Sequence, residues 1–208
     1  MFDRNKVTIN AMSQDLKLEI AATAARLVVE EGLSFGPAKR RALRELGLPA
    51  RQALPDNDLL EDEVREYLRL FYADTQPQEL LALRRMALTW MERVVEFRPH
   101  LSGAVWRGTA TRLSDIYIQL FCDDSKQAEL ALIDKQVRFE VSTVDGFKGE
   151  SVDALSVHSF CEALGENIGV HFMVYDFDDL RGALLPDSQG RSLRGDLMAL
   201  RQLLDNAA

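Results

Sequence analysis

The sequence has few of the features that mark secreted or membrane proteins. Only two cysteines, Cys122 and Cys161, occur in 208 residues, which is too few for a disulfide framework and indicates buried thiols in a reducing compartment. No apolar run reaches the roughly 18 residues of a membrane span, and no basic segment followed by an apolar core stands at the N-terminus. We therefore expect a cytoplasmic protein without a membrane partner.

Positive charge is also scarce, because 25 lysines and arginines face 33 acidic residues for a net charge of -8. Nucleic-acid binding needs clustered cations, so a nucleic-acid partner is not expected. One predicted helix carries a basic cluster that could instead bind phosphate or nucleic acid. We interpret this cluster as a solvated or internally paired face, because charge runs usually take that role. It consists of Lys39, Arg40, Arg41 and Arg44.

Several common catalytic motifs are missing as well. The chain contains no GxxxxGK[ST] or GxGxxG loop, no GxSxG elbow, and neither a CxxC nor an HExxH pair. A phosphate-loop ATPase, a nicotinamide enzyme and a zinc protease therefore lack their binding features. His100, His158 and His171 are scattered along the chain, and each by itself is predicted to be structural.

Hydrophobic periodicity divides the chain into two halves. The first half has helical spacing, and the predicted helices run from Ser13 to Gly32, Pro37 to Gly47, Leu60 to Phe71, and Thr75 to the residue before Pro99. The last of these carries Trp90 and Met91 on an apolar stripe, which we expect to pack against the following strand.

The second half alternates between strands and short helices. Strands are predicted at Ser114–Cys122, Val137–Thr143, Leu155–Phe160 and Val170–Tyr175, with short helices through Leu132 and Leu200 and a glycine turn at 145–149. This order predicts an α+β fold. It comprises an all-helical region at residues 1–98 and a mixed β-sheet with flanking helices at residues 99–208.

The stretch from Pro99 to Asp124 has the features of a site. Gly103 and Gly108 bracket a short AVWR segment, and glycines at this spacing allow a close backbone approach or a sharp turn into a helix. In the strand that follows, apolar Ile116, Ile118 and Leu120 alternate with polar residues. This period of two places Asp115 and Tyr117 on the same face.

Gly103, Gly108 and Ser114-Asp115-Ile116 together resemble the signature of the nucleotidyltransferase superfamily related to DNA polymerase β, over about twenty residues. The resemblance implies the fold of that superfamily for the second half. It also implies that the glycine turn holds the phosphates of a nucleotide, with a nucleotide-binding set of Gly103, Ala104, Arg107, Gly108 and Ser114. In the family, two carboxylates on the strand and a third on its neighbour bind two magnesium ions, which neutralise charge on the transferred phosphoryl group.

The sequence departs from this pattern at the positions on which the chemistry depends. Ala104 stands where the family has a serine, and Tyr117 replaces the second strand carboxylate. The third carboxylate falls in the predicted strand Val170–Tyr175, where His171 matches best. Asp115, Tyr117 and His171 are therefore the predicted catalytic positions in degenerate form. A carboxylate with a phenol and an imidazole is a poor magnesium site, so neither a metal ion nor another cofactor is expected.

Two functions remain open at this point. The first is a catalytically degenerate nucleotidyltransferase-like protein that acts as a binding or regulatory module, with a nucleotide or a protein as its partner. The alternative is an active, magnesium-dependent nucleotidyltransferase with an atypical carboxylate set, in which Asp176 replaces His171. The register of the last strand distinguishes them, because only one of these two residues can face Asp115. A simpler interpretation is that the two glycines only form a turn and that Asp115 caps the start of a strand.

Overall fold

The computed structural model describes residues 4–187 and 189–206, with side chains from residue 14 onward. The chain forms two compact units, the first ending at Gln76 and the second beginning at Pro77. The first unit is helical and comprises α1 (Arg4–Glu31), α2 (Phe35–Glu45) and α3 (Asn57–Phe71). Helix α1 begins well before the predicted cap at Ser13. The three helices share one apolar cluster that includes Ile20, Leu27, Leu43 and Leu60.

The second unit is built around one sheet. Its helices are α4 (Gln76–Arg93), α5 (Gly103–Arg107), α6 (Ser125–Asp134), α7 (Asp179–Ala183) and α8 (Leu197–Asp205), with a 3-10 turn at Val95–Phe97. Its strands are β1 (His100–Ser102), β2 (Ile116–Cys122), β3 (Glu140–Asp145), β4 (Ser151–Cys161), β5 (Glu166–Asp176) and β6 (Arg194–Gly195). The short strands β1 and β6 were not predicted, because two or three residues are too few to display the alternation of apolar and polar side chains.

The sheet is mixed and has the strand order β3-β4-β5-β2-β1-β6. Only β2 and β5 run parallel, and every other pair is antiparallel. The α+β architecture predicted from the sequence, a helical N-terminal region followed by a mixed sheet with flanking helices, is confirmed. Among the described helices, none has both the length and the apolar character needed to cross a membrane.

One face of the sheet carries the main core. Ile116, Ile118 and Leu120 of β2 and Phe172 of β5 belong to this cluster, to which α4, α6 and α8 also contribute buried side chains. The ring of Trp90 meets Phe172 edge-to-face at a centroid distance of 5.8 Å. The predicted packing of Trp90 on the sheet is therefore confirmed, although its partner strand is β5.

The position of α4 explains why the compact units do not divide where the sequence suggested. The predicted boundary follows residue 98, whereas the units divide after Gln76. Leu83, Trp90 and Met91 of α4 are buried in the same cluster as the sheet residues. An apolar helical stripe shows that a helix is covered, but periodicity does not identify what covers it.

Part of the opposite face of the sheet is also covered. Phe121 and Tyr175 are buried there with Ala183 of α7, and Phe147 from the β3–β4 turn packs against them. At the other end of the same face the side chain of Tyr117 is 39% exposed. This open end contains the candidate site.

Candidate functional site

Strand register places a row of polar residues on this face of the sheet, some of them buried and others exposed. Residues paired across neighbouring strands point to the same face, and the pairing continues through all six strands at this level. From β6 to β3 the row consists of Arg194, Ser102, Tyr117, His171, Ser156 and Glu140. The predicted proximity of Tyr117 and His171 is therefore confirmed, because the two are direct partners.

Asp115 lies just before β2 and binds to β5 through both carboxylate oxygens. Its Oδ2 lies 3.2 Å from Nε2 of His171, and its Oδ1 accepts a 3.2 Å hydrogen bond from the backbone N–H of Gly169. A Cβ atom on Gly169 would lie 2.5 Å from Oδ1 of Asp115, so only glycine leaves room for the carboxylate. Asp115, Tyr117 and His171 thus lie together as predicted.

Electrostatics favour the ionised form of Asp115. The hydrogen bond from His171 lowers the pKa of the Asp115 carboxyl most, and burial acts against it. The backbone N–H of Gly169 and the imidazole of His158 lower this pKa further. His158 is the β4 partner of Gly169, so it lies on the same face beside the carboxylate. Imidazoles from β4 and β5 thus lie on either side of the carboxylate.

Tyr117 fills space against the glycine turn. Its ring stacks on the His171 imidazole with a centroid distance of 5.0 Å and an interplanar angle of 26°. On its other side it approaches Gly103, where a Cβ atom would be 3.5 Å from Cδ2 of Tyr117. Burial, and then the charge of Asp115, raise the pKa of the Tyr117 phenol. Tyr117 is therefore a neutral aromatic group at neutral pH and not a substitute for a carboxylate.

The glycine turn has the predicted backbone conformation. Gly103 has a φ of 69° and opens α5, and Gly108 closes it with a φ of 84°. Both values lie in the left-handed region, which glycine adopts without steric cost. Ala104 and Arg107 lie within α5 between them. A side chain that the sequence did not indicate, Arg84 of α4, donates to the carbonyls of Val105 and Trp106 near the end of this helix.

Ser114 is not part of the cluster around Asp115. Its hydroxyl accepts a hydrogen bond from the backbone N–H of Thr111 at 3.1 Å, and its own N–H donates to the carbonyl of Thr111 at 2.9 Å. These two bonds close the turn that precedes β2. Its role in nucleotide binding stays a prediction, as do those of Gly103, Ala104, Arg107 and Gly108.

Asp176 does not take the place of His171. It is the last residue of β5 and pairs with Cys122 at the far end of β2. It lies five positions after His171, an odd offset, so in an extended strand the two side chains point to opposite faces. The Asp176 carboxylate accepts from the backbone N–H of Asp178 and closes the turn that leads into α7. The carboxylate set in which Asp176 replaces His171 is therefore not assembled.

Ser156 extends the hydrogen-bonded chain and was missed by the sequence analysis. Its Oγ lies 2.9 Å from Nδ1 of His171, whose Nε2 faces Asp115. The order Asp115, His171, Ser156 is that of a serine hydrolase. Such an enzyme needs free backbone N–H groups to bind the oxyanion, but Ser156 lies within β4, where the neighbouring N–H groups pair with β3 and β5. Glu140 stands opposite Ser156 and would repel a developing oxyanion. The hydrogen bond between Ser156 and His171 holds the imidazole in its orientation toward Asp115.

The described residues contain no group of three or more histidine, cysteine or acidic side chains arranged to hold a metal ion. Both cysteines are free and buried. Around the exposed ring of Tyr117, the site thus offers the paired carboxylate of Asp115 and the imidazoles of His158 and His171. This arrangement suits binding through hydrogen bonds and stacking better than two-metal chemistry.

Comparison with known proteins does not identify a family for this chain. Compared with models of protein families the chain matches none, and a comparison with curated proteins also finds no match. Among solved structures, the chain is similar to the Cid1 poly(U) polymerase in a MgGTP-bound crystal structure concerned with UTP selectivity. The TM-score is 0.31 at 15% identity, and the alignment covers 53% of this chain and 38% of that one. A similarity this distant carries no inference about this chain.

Proposed function

We propose that this protein is a catalytically degenerate nucleotidyltransferase-like protein that acts as a binding or regulatory module. The proposal rests on the hydrogen bonds of Asp115. Its two carboxylate oxygens are already bonded to His171 and to the backbone N–H of Gly169. A carboxylate used in this way is not free to bridge two metal ions. Tyr117 and His171, the other two positions at which the family has carboxylates, present an aromatic stack.

The ancestry rests on the order of elements around this cluster. A short strand, a glycine in the left-handed region, a short helix and a second strand follow one another as β1, Gly103, α5 and β2. The strand that carries His171 lies parallel to β2 and adjacent to it. These features support the resemblance that the sequence suggested at Gly103, Gly108 and Asp115. The partner of such a module would be a nucleotide bound without a divalent cation, or a protein.

Calorimetry tests the loss of the metal site. We expect titration of Mg²⁺ into the protein, alone or with a nucleoside triphosphate, to give no saturable heat that depends on the metal. Magnesium prefers several hard oxygen ligands, and this cluster offers one shared carboxylate. A saturable nucleotide heat that disappears when Mg²⁺ is chelated would refute the degenerate assignment and favour the active enzyme.

Rebuilding the carboxylates tests the ancestry. The double substitution Tyr117→Asp with His171→Asp should place three carboxylates together and lower the melting temperature through like-charge repulsion. Added Mn²⁺ should recover much of that loss, because a ligand that binds only the folded state stabilises it. The matched control, Tyr117→Asn with His171→Asn, should lose stability without metal rescue. If both variants respond equally to Mn²⁺, the superfamily assignment of these positions is wrong.

A further inference from the structure

Arg194 is a buried cation whose hydrogen-bonding capacity is largely unused. It lies on β6, on the same sheet face as Tyr117, and only 6% of it is exposed. Its Nε and Nη1 atoms have no hydrogen-bond partner among the described residues. The guanidinium carbon sits 4.6 Å from the centre of the Phe147 ring. Leaving donors of a charged group unpaired in the interior is costly, so their presence indicates a use.

The charge of Arg194 is also uncompensated within the part of the chain that the structure describes. No carboxylate there forms a salt bridge with it, and its electrostatic partner is the hydroxyl of Tyr175. A guanidinium remains protonated under all ordinary conditions. A water molecule could accept its hydrogen bonds but would leave the positive charge unbalanced. An anion satisfies both requirements.

A second unpaired group, the side-chain amide of Gln119, indicates which class of anion would fit. Gln119 is 4% exposed, and its Oε1 atom has no hydrogen-bond partner among the described residues. Gln119 forms a hydrogen bond with the hydroxyl of Tyr175, and the charge of Arg194 lowers the pKa of the same phenol, so both groups lie near Tyr175. The two groups thus offer donors for a negatively charged oxygen and an acceptor for a hydroxyl. A phosphate with one protonated oxygen presents both.

We propose that Arg194 and Gln119 bind a phosphate group, as inorganic phosphate or as a phosphate monoester, without a divalent cation. The P–O⁻ oxygens accept from Nε and Nη1 of Arg194, and the P–OH donates to Oε1 of Gln119. This site is separate from the Asp115 cluster and does not depend on the proposed ancestry. Nothing in it requires a covalent step.

The two groups are covered by aromatic and charged side chains, and a groove lies beside the neighbouring strand β1. Phe147, on the turn between β3 and β4, lies over the guanidinium, and Lys148 beside it forms an ion pair with Asp179 at the start of α7. On the other side, His100 is the β1 partner of Gln119. His100 also lines a groove of about 400 Å³ together with Leu180 and Leu184 of α7.

Thermal unfolding of the full chain in EDTA tests this site, with sodium phosphate, sulfate and chloride compared at equal ionic strength. We expect phosphate to raise the melting temperature in a saturable way, sulfate to act more weakly because it has no proton to donate, and chloride to have no such effect. Adenosine monophosphate forms a further arm. An equal affinity identifies the phosphate group alone as the ligand, and a tighter affinity identifies a phosphate monoester.

Variants assign the effect to the two residues. Arg194→Met should weaken phosphate binding at least roughly tenfold, because it removes the charge and keeps the length of the side chain. Arg201→Met is the matched control, since Arg201 pairs with Glu92 on the surface, and it should leave the phosphate response unchanged. Gln119→Glu should supply an internal counter-ion, raise the melting temperature without phosphate and abolish the response to phosphate.

The proposal is overturned if phosphate stabilises the wild type no more than chloride does, or if Arg194→Met responds to phosphate as the wild type does. If Arg194→Met does not fold, a ³¹P NMR titration of the wild type against Gln119→Glu decides, because only the wild type should broaden the phosphate signal. All arms contain EDTA, so a failure here leaves the magnesium experiments on the Asp115 cluster unaffected.

Discussion

Gly169 is the residue on which the Asp115 cluster depends. A Cβ atom there would lie 2.5 Å from Oδ1 of Asp115 and 3.0 Å from Nε2 of His171. Gly169→Ala should therefore expel the carboxylate and destabilise the protein by about 1–3 kcal/mol, the usual cost of an inserted methyl group in a packed site. Urea unfolding at neutral pH measures this.

A double-mutant cycle separates the clash from other effects of the added methyl group. In an Asp115→Ala background the obstructing carboxylate is absent, so Gly169→Ala should cost much less there than in the wild type. Gly182→Ala is the control, because a Cβ atom at Gly182 of α7 would meet only the end of the Lys148 side chain at 3.7 Å. Equal costs of Gly169→Ala in the two backgrounds would show that the carboxylate is not what excludes a side chain.

The charge of Asp115 stabilises the fold only above a certain pH. Its folded pKa is lowered from the ordinary value of 3.8, mainly by the hydrogen bond from His171, so on acidification the unfolded chain takes up this proton first. The stabilisation is complete above that ordinary value and is lost as the pH falls through the lower, folded pKa. It is small, because 48% of the side chain is exposed.

The measurement is the free energy of unfolding of the wild type and of Asp115→Asn from neutral to acidic pH. We expect the wild type to be the more stable at neutral pH and the difference to shrink in acid, as the wild type loses the charge that the variant never had. A difference that stays constant across this range would mean that ionised Asp115 contributes nothing through its charge.

At the scale of elements, α2 shows how a basic run is used inside a helical unit. The ammonium group of Lys39 is buried and donates to the carbonyl of Pro55 and to Oδ1 of Asn57, each at 2.7 Å. Arg41 pairs with Glu31 and Glu45. Half of the basic cluster thus serves as internal partners, which favours the paired face expected from the sequence.

Substitutions in α2 test this role. Lys39→Met should cost about 1–3 kcal/mol, because it leaves two acceptors without their buried donor, whereas exposed Arg44→Gln should change stability by roughly 0.5 kcal/mol at most. In a gel shift at low salt, the wild type should not bind duplex DNA. Tight binding that is lost when all four basic residues become glutamine would show that the cluster is a nucleic-acid site.

At the scale of the whole molecule, the division into two compact units predicts which fragments of the chain fold on their own. The second unit, from Pro77 onward, has its own core and includes α4. A fragment of residues 77–208 should therefore unfold cooperatively by circular dichroism. A fragment of residues 99–208 lacks Leu83, Trp90 and Met91, which would expose the apolar face of the sheet, so it should aggregate or show no cooperative transition. A cooperative transition in the shorter fragment would restore the boundary at residue 98.

Local pattern by itself determined several features of this protein. The alternation from Asp115 to Leu120 predicted the strand β2 and placed Asp115 and Tyr117 on one face, because side-chain direction in a strand follows from sequence parity. Local pattern also predicted the apolar stripe of α4, the turn at 145–149 and the glycine conformations at 103 and 108. Helical period and left-handed φ are properties of neighbouring residues, so a sequence displays them directly.

Tertiary structure alone decided what these elements do together. The bond between Asp115 and Gly169 joins residues 54 positions apart, and the one between His171 and Ser156 needs the register of β4 on β5. Neither Gly169 nor Ser156 carries a local signal, because one is defined by the space it leaves and the other by its cross-strand partner. Arg194 stands in a polar stretch that suggests a loop, yet strand pairing buries it. Burial and charge compensation depend on contacts between distant parts of the chain, and only the folded chain fixes those contacts.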